Sequence, residues 1–146
     1  MLGNLVEAKA EWARIASPYR DLPEVLQVRW QICAAAKEWQ TCLELAETIT
    51  RLSPLEPFGW IHQAFALHEL KQTEEAYRRL AAVTRKFPKE AIIPYNLACY
   101  ACQMGKLSEA RRWLKNAIDI GGKQKIKGMA RNDPDLVPLR QEIEED

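Results

Sequence analysis

The chain has 146 residues and a formal net charge of +1, and 47% of its residues are hydrophobic while 28% are charged. This is the composition of an ordinary soluble domain, and its overall charge points to no particular ligand. No run approaches the roughly 18 apolar residues that a membrane span needs, and the N-terminus lacks the pattern of a secretory signal. The four cysteines have no disulfide-scaffold spacing and fit free thiols in a reducing compartment. We therefore expect a single-domain cytoplasmic protein.

Capping and turn residues divide the chain into predicted helices. Pro23 follows Asp21, which is a preferred N-cap residue, and Ser53 to Glu56 has capping-box spacing. Gly105 and the pair Gly121-Gly122 mark helix ends. The predicted helices are 2–16, 23–36, 39–52, 57–70, 73–86, 91–104, 107–120 and 123–131, with a short last helix near 135–143.

Small and apolar residues recur along these helices at a fixed period, which is about 34 residues and matches the length of a helical-hairpin repeat. They form three columns: Ala8, Cys42, Ala76 and Ala110; Trp12, Ala46, Leu80 and Leu114; and Ile15, Ile49, Val83 and Ala117. Such a period predicts stacked helix pairs, because one pair cannot bury its apolar face alone. The pattern indicates an all-α solenoid, which usually offers a surface to a partner and not a pocket to a substrate.

The repeat resembles the tetratricopeptide repeat. Residues 57–90 carry the family pattern at Trp60, Gln63-Ala64, Leu67, Ala76, Leu80, Val83 and Pro88. Residues 91–124 carry it at Leu97-Ala98, Ala101, Gly105, Glu109-Ala110, Leu114 and Ala117, although Pro94 replaces the opening aromatic residue. In residues 23–56, Trp30 stands where the family has a small residue and Cys33 where it has Tyr.

The resemblance covers roughly residues 1–122 and is to a small stand-alone bacterial protein of this family. It implies one domain, residues 1–146, folded as a right-handed superhelix of stacked helix-turn-helix repeats. The implied units are a half-repeat at 1–22, full repeats at 23–56, 57–90 and 91–124, and a C-terminal cap at 125–146. In the cap we expect Leu136, Val137 and Leu139 to cover the end of the stack.

The same resemblance implies a concave groove lined by the first helix of each hairpin. The groove residues expected from it are Gln27, Gln31, Phe58, Ile61, His62, Phe65, His68, Ile92, Tyr95, Asn96 and Cys99. The apolar members of this set are not needed to close the repeat's own core, and exposed apolar patches mark interaction surfaces. We therefore predict that the groove binds a peptide or helix of a partner protein, as an adaptor or chaperone does. The alternative is a self-associating homodimeric scaffold that buries the same face.

Some proteins of this family clamp the carboxylates of a partner's C-terminus with cationic groove residues. Here the corresponding positions hold Gln27, Gln31, His62, Ile92 and Asn96. Because none of these is Lys or Arg, the charge-assisted donors that a dicarboxylate needs are missing. The sequence argues against a carboxylate clamp.

Cys99 and Cys102 share one helical face and raise the question of a metal or redox site. A structural zinc site needs four ligands, usually from two paired motifs, and the sequence has no second such motif. A redox pair usually lies at a helix N-terminus, whereas this pair lies in the middle of a helix. We therefore expect no metal and no cofactor.

Basic residues crowd residues 71–131, which hold 14 Lys and Arg against 5 acidic residues. Those on second helices form a positive strip, but no aromatic residues are interleaved to stack on bases, so nucleic-acid binding is not favoured. Only His62 and His68 could serve as bases near neutral pH, and there is no nucleophile motif or phosphate loop. We expect a binding protein and not an enzyme.

Overall fold

A computed structural model describes residues 2–14, 19 and 21–145, and these ranges contain helices and no β-strand. The α-helices are α1 (Leu2–Arg14), α2 (Pro23–Ala35), α3 (Trp39–Leu52), α4 (Pro57–Glu69), α5 (Thr73–Ala81), α6 (Ile92–Gln103), α7 (Leu107–Gly121), α8 (Lys123–Arg131) and α9 (Arg140–Glu144). Two 3₁₀ helices, Thr84–Lys86 and Pro134–Leu139, follow α5 and α8. The predicted all-α repeat fold is confirmed.

The chain forms two compact units, Met1–Leu70 and Lys71–Asp146. Unit 1 contains α1 to α4, and unit 2 contains α5 to α9. The boundary cuts the middle predicted repeat, 57–90, between its first and its second helix. The division into repeats and a cap within one domain stays a prediction.

The three columns of the repeat pattern form much of the core of both units. In the second to fourth positions of each column the side chains are buried: Cys42, Ala76, Ala110, Ala46, Leu80, Leu114, Ile49, Val83 and Ala117. Ala8 and Trp12 are half-buried, and Ile15 lies outside the described residues. The periodic positions are therefore the ones at which paired helices approach each other.

The turn inside a hairpin has the same backbone geometry in both units. Lys37 and Gly105 adopt left-handed φ angles of 57° and 75°, and Lys71, one repeat period from each, has a φ of 66°. After α2 the Glu38 N–H donates to the Cys33 carbonyl, and after α6 the Lys106 N–H donates to the Ala101 carbonyl, both at 2.9 Å. These are the closing hydrogen bonds of a Schellman motif. The turn is repeated even where the sequence has Lys in place of Gly.

Two predicted helices are interrupted in the structure. The helix expected at 73–86 ends at Ala81, and Thr84 to Lys86 form a 3₁₀ turn. The Thr84 hydroxyl donates to the Ala81 carbonyl at 3.1 Å, and such a bond competes with the helical backbone pattern. The helix expected near 135–143 is a 3₁₀ segment followed by α9, because Pro138 has no N–H to continue an α-helix.

Two of the three apolar residues expected in the predicted cap are buried. Leu136 and Leu139 are fully buried, whereas Val137 is 49% exposed. The 3₁₀ segment that carries them packs against α6, and α9 packs against α8. In the described part of the chain no helix is long and apolar enough to cross a membrane.

A close approach between α3 and α4 generates the first testable prediction. A Cβ on Gly59 would clash with Thr50 Oγ1 and would lie 2.7 Å from the Thr50 backbone nitrogen. The Thr50 hydroxyl cannot easily move, because it donates to the Ala46 carbonyl at 2.8 Å and accepts from Gln63 Nε2 at 2.9 Å. Gly59→Ala should therefore lower the free energy of unfolding by about 1 to 3 kcal/mol in urea titrations.

Gly128 in α8 is a matched control for this substitution, because a Cβ there meets nothing within 4 Å. Gly128→Ala should raise the stability by about 0.5 to 1 kcal/mol through helix propensity. Equal effects of the two substitutions would show that helix propensity, and not the contact with Thr50, sets the cost at Gly59.

Candidate protein-binding surface

Five aromatic rings of unit 1 form a connected cluster, which we call the aromatic face: Trp30, Trp39, Phe58, His62 and Phe65. The Trp30 ring lies edge-on to three of them, with centroid distances of 6.2 Å to Phe58, 4.4 Å to His62 and 6.1 Å to Phe65. His62 stacks on Phe58 at 3.7 Å, and Trp39 lies 5.7 Å from Phe65. These are the distances at which aromatic pairs stabilise each other.

Helical spacing explains how three of the rings come together. Phe58, His62 and Phe65 follow one another at intervals of four and three residues on α4, so they share one side of that helix. Trp30 reaches them from α2, and Trp39 is the first residue of α3. The cluster therefore joins α2, α3 and α4.

The Trp30 ring is the floor of the aromatic face, and Phe65 is its most accessible ring. Trp30 is 4% exposed, while Phe65 is 36% exposed and Phe58 and His62 are half-buried. On α2, Gln31 and Val28 are exposed beside a half-buried Gln27. The structure places Gln31 toward α1, where it lines a surface pocket with Asn4, Leu5 and Ala8.

His62 is held as a neutral, stacked ring. Its Nδ1 lies 2.8 Å from the Phe58 carbonyl oxygen, and because a carbonyl only accepts, Nδ1 must carry the proton and donate. Burial lowers the pKa of His62, and the hydrogen bond to the carbonyl offsets only part of that shift. The ring therefore contributes an aromatic surface near neutral pH and not a charge.

The remaining predicted groove residues of unit 1 differ in accessibility. Ile61 is 8% exposed and belongs to the core, so the expectation that it lines an open surface was wrong. It was expected at the groove because the family resemblance places the first helix of each hairpin there, but its side chain is buried. His68 is half-buried near the end of α4.

In unit 2 the chain's own C-terminal segment covers two of the predicted groove residues. Tyr95 and Cys99 are each 4% exposed. The Tyr95 hydroxyl donates to Asp133 Oδ2 at 2.7 Å, and the Cys99 sulfur lies 3.6 Å from the same oxygen. The expected exposure of these two side chains was therefore wrong, while Ile92 and Asn96 are half-buried on the same helix.

Asp133 fastens this segment to α6. Besides the bonds from Tyr95 and Cys99, its Oδ1 accepts from the Asp135 N–H at 3.0 Å and caps the 3₁₀ helix. Gln103 Nε2 donates to the Asp135 carbonyl at 2.9 Å, which adds a second attachment. Burial, reinforced by Asp133, raises the pKa of the Tyr95 hydroxyl and of the Cys99 thiol, so both stay protonated and can donate.

The same residues offer a group of three possible metal ligands. One atom each of Cys99, Asp133 and Asp135 lies within 4.8 Å of the others. A structural zinc site needs four ligands and a deprotonated thiol, whereas burial disfavours the Cys99 thiolate. The hydrogen bonds of Asp133 account for the arrangement.

All four cysteines are buried free thiols, and burial is the largest cause that raises the pKa of each.

The basic strip predicted on the second helices is partly paired with carboxylates. Arg78 and Arg79 both bind Glu75 and lower its pKa to about 2. Arg111 Nε lies 2.7 Å from Glu142 on α9. These cations therefore stabilise the helices that carry them and leave less charge for a polyanion.

Comparison with known proteins supports the repeat assignment. No protein-family model matches the chain. It is 29% identical over 86 residues to anaphase-promoting complex subunit 6 of Arabidopsis thaliana, a match that covers 58% of this chain and 16% of that subunit. The chain thus spans about a sixth of that relative.

A solved structure described as MamA MSR-1 C2 matches with a TM-score of 0.68 and 18% sequence identity. The match covers 84% of this chain and 71% of that one. These similarities show a helical-repeat fold of the tetratricopeptide type.

The buried His62 generates a prediction about pH. A histidine whose pKa in the folded state lies below its ordinary value of 6.5 binds more protons in the unfolded state. Its contribution to stability is therefore fully present above pH 6.5 and is lost as the pH falls from 6.5 towards the folded-state pKa. The free energy of unfolding should therefore decline as the pH falls below about 6.5. His62→Phe should abolish that decline in urea titrations across the range, because Phe stacks without titrating.

His68→Gln is the matched control, since it removes the chain's other histidine and leaves the aromatic face intact. The decline should persist in that variant. If His62→Phe keeps the full pH dependence, another group causes it.

The hydrogen bond between Tyr95 and Asp133 generates a third prediction. Tyr95→Phe deletes one donor to a carboxylate that is partly buried, and such bonds contribute about 1.5 to 3 kcal/mol. The free energy of unfolding should fall by about that amount while the helix content measured by circular dichroism stays unchanged. Tyr19→Phe, at an exposed position, should change the stability by less than about 0.5 kcal/mol. If Tyr95→Phe and Tyr19→Phe changed the free energy of unfolding equally, the C-terminal segment would not depend on the bond between Tyr95 and Asp133.

Proposed function

We propose that the chain is a protein-interaction module whose aromatic face binds an apolar segment, helical or extended, of a partner protein. The observation that carries this proposal is the position of Phe65. It is accessible, yet its ring packs against both Trp30 and Trp39, with centroid distances of 6.1 Å and 5.7 Å. An exposed aromatic ring that the protein already holds in place is the usual form of a binding hot spot.

Preorganisation is the physical reason that this face should bind well. The rings contact one another in the free protein, so docking an apolar anchor costs little further side-chain entropy. Gln27, three residues before Trp30 on α2, supplies an amide that can hydrogen-bond a partner's backbone next to the anchor. The face therefore combines an apolar contact with polar groups that fix orientation.

The comparisons favour an interaction role over catalysis. The name of the Arabidopsis relative describes a subunit of a protein complex. The neutral, stacked state of His62 and the protonated state of the buried thiols leave these groups poorly suited to act as bases or nucleophiles. An adaptor or chaperone role and a cytoplasmic location remain predictions. The extension of the binding surface to Ile92 and Asn96 of unit 2 also remains a prediction.

The test compares a variant of the aromatic face with two surface controls. Phe65→Ala should weaken capture of a partner from native lysate at least about tenfold, because truncating a buried anchor typically costs about 2 kcal/mol or more. Leu55→Ala removes an equally apolar side chain that is 90% exposed, and it should have little effect. Arg78→Glu should also have little effect, and capture should vary little with salt.

Light scattering on the purified protein distinguishes partner binding from self-association. If the aromatic face is a homodimer interface, the wild type should have a dimer mass that Phe65→Glu reduces to that of a monomer. A monomeric wild type removes the homodimeric scaffold. Capture lost in Arg78→Glu and retained in Phe65→Ala would move the binding surface to the basic strip and overturn the proposal.

A further inference from the structure

Unit 2 carries a separate pocket of about 420 Å³ between the start of α6, the last turns of α7 and the segment that follows α5. Its walls are mainly apolar, with Ile93 at a buried position and Phe87, Trp113 and Ile120 partly accessible. A pocket of this size, lined by apolar and aromatic side chains with a few polar groups, lies in the range that binds small ligands or anchor side chains. None of its residues belongs to the aromatic face.

The walls of this pocket are formed before any ligand binds. The Trp113 indole donates to the Tyr77 hydroxyl at 2.8 Å, and that hydroxyl donates to Glu109 at 2.9 Å. Pro88 and Pro94 supply two further walls whose backbone is fixed by their rings. A bulky side chain can therefore enter without reordering the site.

The charge around the pocket favours an acidic partner. The two segments that supply most of its lining, 82–91 and 112–120, hold five basic residues and two acidic residues, a net charge of +3. Arg85, Lys89, Arg112 and Lys115 form no ion pair with any residue that the structure describes. Asp119 also lines the pocket, so the partner's acidic residues should lie on the side of Arg85. On the side of Asp119, the Asp119 carboxylate would repel an acidic residue of the partner.

We propose that this pocket binds an acidic segment of a partner protein that inserts one large apolar or aromatic side chain. The anchor fills the space between Trp113 and Phe87, and the flanking carboxylates pair with Arg85 and the neighbouring cations. Both features are needed, because the apolar walls alone do not select a partner and the cations alone would bind any polyanion. Nucleic acid is the competing occupant, and displacement of the bound peptide by an oligonucleotide distinguishes it from an acidic protein segment.

The probe is a blocked synthetic peptide of sequence Glu-Asp-Phe-Asp-Glu, titrated into the ¹⁵N-labelled full-length chain. The indole Nε1–H signal of Trp113 is the readout, and it is identified among the five tryptophans by its loss in Trp113→Phe. We expect this signal to shift in a saturable way. Replacing the peptide's Phe with Ala, or its acidic residues with Lys, should abolish the shift.

Two charge reversals test the role of Arg85. Arg85→Glu should weaken peptide binding about tenfold or more, because it removes an attractive contact and adds a repulsive one. Arg51→Glu makes the same change in charge on α3 of unit 1, at a residue that does not line the pocket, and should alter the affinity less than about twofold. Both positions are exposed, so neither variant should unfold the chain.

Three results would overturn this inference. The first is a Trp113 signal that does not move at about 1 mM peptide, the weakest affinity that such a site would have. The second is equal binding of the peptide in which Ala replaces Phe, which would reduce the site to a charged surface. The third is displacement of the peptide by a single-stranded oligouridine, which would make the positive strip a nucleic-acid surface.

Discussion

The constraint on which this structure depends is that one helix pair of the repeat cannot cover its own apolar surface. Each pair closes its internal contact with small residues, among them Cys42 in unit 1 and Ala110 in unit 2, both fully buried. What remains apolar after that contact must be covered by another part of the chain or by a different molecule. The two units meet this requirement in different ways, and the difference determines which surface can bind.

In unit 2 the chain covers itself. Leu136 and Leu139 are buried on a segment that packs against α6, and Asp133 fixes that segment through Tyr95 and Cys99. A carboxylate with three donors is well compensated for its loss of water, so the segment holds its place by hydrogen bonds as well as by burial. In unit 1 the corresponding side of α4 carries aromatic rings that pack on Trp30, and Phe65 stays accessible. Unit 1 therefore keeps the surface that unit 2 has closed.

The sequence predicted the helices and the buried columns well, because both depend on local spacing. The fixed period of the repeat identifies the positions where helices meet, and Pro23, Pro57 and Gly105 mark helix ends. The predicted caps were wrong: the N-cap residues are Leu22 and Glu56, not Asp21 and Ser53, and neither makes a side-chain cap hydrogen bond. The sequence did not predict the left-handed turn at Lys37, since a non-glycine residue gives no signal for that conformation. Only the position of Lys37, two repeat periods before Gly105, suggests this turn. The interruptions at Thr84 and Pro138 come from one hydroxyl bond and one missing N–H, which a periodic pattern does not register.

The candidate site was predicted less well than the fold, because accessibility depends on contacts between residues far apart in sequence. Tyr95 looks like an anchor on α6 until Asp133, 38 residues later, is placed against it. Trp30 looked like an obstacle to helix packing, yet it is the floor around which the aromatic face assembles. The signal that could have found it was in the sequence: Trp30 stands where the next two repeats have Ala64 and Ala98, and it precedes a helix with Phe at positions 58 and 65. A large side chain at such a position needs partners, and aromatic rings at helical spacing on the next hairpin are the ones available to it.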